Sequence, residues 1–250
     1  VTVTLNGCTA SATTSVTVNP TPTVTATNTG PYCPGATIQL NSTGGGTYSW
    51  TGPGGFTSTL QNPTIGSATT AMSGVYTVTV TLNGCTATAT TSVTVNPTPT
   101  VTATNTGPYC PGATIQLNST GGGTYSWSGP GGFTSTLQNP TIGSATTAMG
   151  GVYTVTVTVS GCTATATTNV VVNPLPTPTA TNTGPYCVGA AISLSSSGGG
   201  TYSWSGPAGF TSSNQNPVIA GATTAMGGAY TVTVDRKSTR LNSSHVALSR

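Results

Sequence analysis

The segment that decides the architecture is Val75-Tyr76-Thr77-Val78-Thr79-Val80-Thr81-Leu82-Asn83-Gly84-Cys85-Thr86-Ala87-Thr88-Ala89-Thr90-Thr91-Ser92-Val93-Thr94-Val95. Up to Leu82, apolar residues alternate with threonine, which is the period-two pattern of a strand with one buried face. Tyr76, Val78, Val80 and Leu82 share that face, and Thr77, Thr79 and Thr81 point the other way. Asn83-Gly84 then supplies a two-residue turn, because both central positions of a type I′ hairpin turn need positive φ. Beyond the turn, Cys85, Ala87, Ala89, Thr91, Val93 and Val95 form one face, opposite Thr86, Thr88, Thr90, Ser92 and Thr94. A nine-residue strand, a tight turn and a second strand are therefore expected here.

The same hairpin recurs. Cys8, Cys85 and Cys162 are in register, as are Cys33, Cys110 and Cys187, and Trp50, Trp127 and Trp204, all at one fixed period. Residues 20–96 and 97–173, one period each, agree at 71 of 77 positions. A fixed period of this kind sets the architecture before local detail is read. The expected organisation is the C-terminal strands of a truncated repeat (1–19), two whole repeats (20–96 and 97–173) and a repeat cut short (174–234). Pro-Thr-Pro-Thr at 97–100, matched by 20–23 and by Pro174 to Pro178, reads as a short extended linker.

Charge sets the last sixteen residues apart. Every Lys, Arg, Asp, Glu and His of the chain lies in 235–250, so the net charge of +3 says nothing about the rest. The run DRKSTRLNSSH resembles the translation of a common sequencing-library adapter, and it interrupts a strand directly after Val234. We read 235–250 as an adapter-derived artefact of which no ordered structure is expected. Without Lys or Arg, residues 1–234 have no means of displacing counterions from a nucleic acid. No apolar run reaches the roughly 20 residues of a membrane-spanning helix. Neither nucleic acid nor membrane insertion is expected of this segment.

Upstream of the hairpin, Ile38 and Leu40 alternate in one strand, Gly44-Gly45-Gly46 makes a loop, Tyr48 and Trp50 alternate in another strand, and Gly52-Pro53-Gly54-Gly55 ends it. Ile38-Gln39-Leu40-Asn41-Ser42, Trp50 and Gly74-Val75-Tyr76-Thr77-Val78 resemble strand B, the strand C tryptophan and the tyrosine corner of the immunoglobulin fold. The fold class expected is all-β: tandem immunoglobulin-like antiparallel β-sandwiches of about seven strands each. The resemblance makes Trp50, Trp127 and Trp204 core tryptophans, and Tyr76, Tyr153 and Tyr230 corner tyrosines. Ser42 and Val78 stand where antibody domains carry their cysteines. Cys-Pro-Gly-Ala-Thr-Ile ahead of strand B and Asn-Gly-Cys after strand F further resemble the Ig-like and PKD-like repeats of large secreted Bacteroidota adhesins and gliding-type surface proteins.

Two cysteines per repeat, with no His and no CxxC spacing, point to disulfides in an oxidising compartment. Parity favours Cys33 with Cys85 and Cys110 with Cys162, leaving Cys8 and Cys187 unpaired by truncation. Sandwich geometry objects. Cys33 precedes strand B and Cys85 follows strand F, at opposite ends of a strand about 30 Å long, whereas a disulfide needs Cα atoms within about 7 Å. A bridge between neighbouring repeats, Cys33 to Cys162, and free thiols are the alternatives.

Catalysis by a general acid or base needs a carboxylate, His or Lys, and a hydroxyl or thiol nucleophile needs a base to activate it. Residues 1–234 contain none, so no enzyme, no catalytic residue, no metal and no cofactor is expected. The expected function is that of non-catalytic spacer or stalk repeats in a secreted or surface-anchored bacterial adhesin. The expected partners are the neighbouring repeats, surface glycans and other cell-surface proteins. Two alternatives stand beside it: a carbohydrate-binding module using Tyr48, Trp50 and Phe56, and accessory repeats of a secreted hydrolase.

Overall fold

The computed structural model describes residues 1–235; the remainder of the set-apart tail, 236–250, lies outside the described residues. The chain is all-β, with isolated 3-10 turns. An exposed hairpin, β1 (Thr2–Leu5) and β2 (Cys8–Ser11), comes first. The first complete repeat follows with β3 (Thr25–Asn28), β4 (Ile38–Thr43), β5 (Thr47–Gly52), β6 (Phe56–Ser58), β7 (Thr64–Ile65), β8 (Gly74–Leu82) and β9 (Cys85–Val93). Its strands form two antiparallel sheets, ordered β3-β4-β7 and β6-β5-β8-β9. The second repeat copies them from β10 (Ala103–Asn105) through β15 (Gly151–Val159) to β16 (Cys162–Val170). These are tandem immunoglobulin-like sandwiches.

Alternation dictates the layering. In β8 the side chains of Tyr76, Val78 and Val80 are buried while the intervening threonines are only partly covered. They meet Ile38 and Leu40 of the facing sheet and Trp50 of β5 in one core. Leu82 pairs with Cys85 across the turn, where Asn83 and Gly84 hold φ of 51° and 81°. Asparagine and glycine tolerate that left-handed backbone. At Gly52 the backbone lies against the ring of Tyr76, so closely that a Cβ would overlap it.

The remaining pieces show what packing contributes to strand length. In β2, whose counterpart β9 runs nine residues, only four residues are in strand. Its four residues are all exposed, and Val16 and Val18, in the register of Val93 and Val95, are 83% and 87% exposed. The third repeat runs from β17 (Thr179–Asn182) to β22 (Thr231–Asp235), in sheets of three and three strands. Asp235 corrects the expected break after Val234. It pairs with Thr201 as the last residue of β22, because sheet pairing uses the backbone and does not read the side chain.

Candidate functional site: the joint between repeats

Each joint is built from the residue before its first proline. Asn96 follows β9, and its backbone N–H donates to the carbonyl of Tyr32 at 2.9 Å, while the Tyr32 N–H donates to Thr94 O at 2.9 Å. These bonds tie the loop carrying Tyr32 and Cys33 to the exit end of the first repeat. The Asn96 side-chain amide donates across the joint to the carbonyl of Ser160, in the β15–β16 turn of the second repeat, at 2.9 Å. Asn19 donates in the same way to Asn83 O at 3.0 Å. The exit end of one repeat therefore sits on the hairpin tip of the next.

That contact brings two cysteines together. Cys33 and Cys162 form a disulfide with Cα atoms 5.5 Å apart, closing a sequence separation of 129 residues. This corrects the pairing within repeats. Cys85 and Cys110 are free thiols, as are Cys8 and Cys187. The reason is strand direction: Cys33 lies at the end of the sandwich where Val95 pairs with Tyr32, while Cys85 opens β9 at the opposite end. In the chain-entropy picture, closing a loop of this length contributes about 5 kcal/mol, spread over the two repeats it encloses. Cys85 already stands at the equivalent place in the preceding joint, its thiol 3.4 Å from the carbonyl of Asn19.

The aromatic residues form no platform. Trp50, Trp127 and Trp204 are at most 1% exposed, and their indole N–H groups donate at 3.3 Å to the carbonyls of Gln61, Gln138 and Gln215. Tyr76, Tyr153 and Tyr230 donate to Met72 O, Met149 O and Met226 O, four residues upstream in each case. Phe56 packs edge-on against Tyr76, with ring centroids 5.6 Å apart. Tyr48 is half-buried, and its hydroxyl accepts the Gly45 N–H at 3.2 Å. Tyr32 is buried, with its hydroxyl donating to Gln39 O at 3.1 Å.

A cavity of about 290 Å³ opens in the third repeat, lined by Tyr186, Ile192, Leu194, Ala222, Met226 and Tyr230. These residues are the counterparts of Tyr32, Ile38, Leu40, Ala68, Met72 and Tyr76, which in the first repeat pack into the core with Val93 and Val95. Among the described residues no strand stands at that place in the third repeat, so the cavity is uncovered core rather than a built ligand site. Among the described residues, too, no three His, Cys, Asp or Glu side chains gather, and no helix is long and apolar enough to cross a membrane.

Sequence reasoning missed Asn19 and Asn96. The signal was present as Asn-Pro in register at 19, 96 and 173, but pointed only to a linker, because its partner belongs to another repeat.

No protein-family model matches the chain, and no curated protein matches it in sequence. Solved structures do resemble it. The I-band fragment I67–I69 of titin aligns with a TM-score of 0.51 at 11% identity, over 88% of this chain and 95% of that one. An E-to-A variant of the same three titin domains gives 0.48 at 14% identity, over 86% and 92%. Murine CEACAM1b gives 0.38 at 13% identity, over 61% of this chain and all of the other. Identities this low speak to the fold alone.

Proposed function

We propose that these repeats are a non-catalytic spacer, a stalk segment of a secreted or surface-anchored bacterial adhesin, whose work is reach and stiffness. The observation that carries the reading is the joint: near-identical sandwiches without Lys, Arg, His or carboxylate side chains meet end to end through an asparagine clasp and, at one joint, a covalent bridge. Independent domains on a flexible linker would need neither. A disulfide of this kind persists outside the reducing cytoplasm, in keeping with an extracellular location. The resemblance to Bacteroidota surface repeats points the same way. Buried tryptophans leave the carbohydrate-binding alternative without its main stacking surface.

Small-angle scattering tests the reading. A compact globule of 250 residues would have a radius of gyration of about 18 Å. Three sandwiches end to end, each at least about 30 Å long from its nine-residue strands, should give roughly 30 Å and the profile of an elongated monomer. A value matching the compact globule would refute the spacer.

A further inference from the structure

The Cys33–Cys162 bridge does more than fasten a joint. Cys33 lies at the exit end of the first repeat, and Cys162 at the hairpin tip of the second. A pull applied to the two ends of the chain therefore crosses from residue 33 to residue 162 through two sulfur atoms. The residues between them, most of both complete repeats, lie inside the closed loop and carry none of the extension. We propose that this bridge is an extension stop: it hides about half of the chain from stretching, so unfolding of the sandwiches lengthens the rod only about half as far as it would without the bridge. The proposal rests on the spacer reading and supplies its mechanism.

The register of the other cysteines extends the argument. Cys110 and Cys187 occupy the place of Cys33, and Cys8 and Cys85 that of Cys162. A separation of 129 from any of these four leads to no cysteine of this chain; from Cys110 it leads to Thr239. Where further copies of the repeat adjoin, each of these thiols meets a partner across its joint. From Cys162 the covalent path then runs on along the chain to Cys187 before it meets the next bridge. That path comprises β16, the proline-rich joint and β17, which are mostly extended already.

Fully drawn out, the stretch from Cys162 to Cys187 spans about 85–90 Å. The two repeats that this path traverses are together at least about 60 Å long when folded. Without bridges, the 154 residues of two repeats would stretch to about 520 Å. The bridged array is thus near its covalent limit while folded, and successive bridges form two interleaved covalent cables.

The test stretches the full chain, held by peptide tags at its termini with the free thiols alkylated. At a force that unfolds the sandwiches, adding a soluble thiol reductant should release one step of about 440 Å, the contour of 129 residues, and roughly double the end-to-end length. Cys110→Ser should leave that step intact, and Cys162→Ser should abolish it. Two steps of about 180 Å, the contour released by a bridge within each repeat, would overturn the proposal, as would no step at all. Failure of the spacer reading is distinguishable, because it shows in scattering as a compact particle whether or not the step is present.

Discussion

Trp50→Ala is expected to split the melting of the protein in two. Removing a fully buried tryptophan costs about 3–5 kcal/mol, a large part of the roughly 5–15 kcal/mol that holds a small domain. The substitution also leaves the carbonyl of Gln61 without the indole donor. The second repeat, identical at 71 of 77 positions, is an internal reference carrying Trp127 in the same place. Differential scanning calorimetry should therefore show the first repeat melting at least about 12 °C below the second, on a scale of about 4–8 °C per kcal/mol for a domain of this size. A Trp50→Ala protein that melts unchanged but loses binding to a glycan would instead make the tryptophan a ligand contact.

The second large effect is a lopsided response to pH. Acid unfolds most proteins because carboxylates and histidines titrate differently in the folded and unfolded states, and residues 1–234 have neither. Stability should hold from about pH 3 to about pH 9. The alkaline side differs. Burial raises the phenol pKa of Tyr76 and Tyr153 above the ordinary value of 10.0. The folded chain then keeps these protons more tightly than the unfolded chain, so the stability they contribute is full below about pH 10 and is lost as pH rises through the folded pKa.

Tyr186 in the third repeat behaves oppositely. A side-chain hydrogen bond with Thr183 lowers its pKa, so this phenol contributes no alkaline loss. Thermal melts across the pH range, with thiols alkylated, should show a flat acid limb and a fall above about pH 10. Tyr76→Phe with Tyr153→Phe should blunt that fall. Unfolding at mildly acid pH, near the ordinary carboxylate range, would contradict the account.

Much of this molecule is legible from residues alone. Alternation from Val75 to Val95, with Asn83-Gly84 between, specifies both strands and the turn, because one-sided burial leaves a period-two record in any strand. Trp50 and Tyr76 can be placed because a large aromatic residue inside an alternating strand has few other places to go. The pairing of Cys33 is different in kind. Local sequence makes Cys85 and Cys162 equivalent partners, since both follow a hairpin turn and precede Thr-Ala-Thr-Ala-Thr, and parity favours Cys85. Strand length argues against Cys85. Only the seat of the second repeat's hairpin on the first repeat selects Cys162, and that depends on the clasp from Asn96 to Ser160. Contacts between repeats leave a trace such as the Asn-Pro at 19, 96 and 173 but not the identity of its partner, because each half of such a contact is read within its own repeat.

A disulfide map shows whether the covalent link crosses the joint. Unreduced protein is alkylated and cut after its aromatic residues. The Cys33 peptide (33–48) and the Cys110 peptide (110–125) are then identical in sequence, whereas those of Cys85 (77–109) and Cys162 (154–186) are told apart by differences such as Leu82/Val159 and Asn83/Ser160. Peptide 154–186 is expected in a bridge and peptide 77–109 with an alkylated thiol, and the bridge should be lost in Cys33→Ser but not in Cys110→Ser. Peptides 77–109 and 154–186 both bridged, with Cys110→Ser freeing Cys162, would place the disulfides within repeats and contradict a link across the joint.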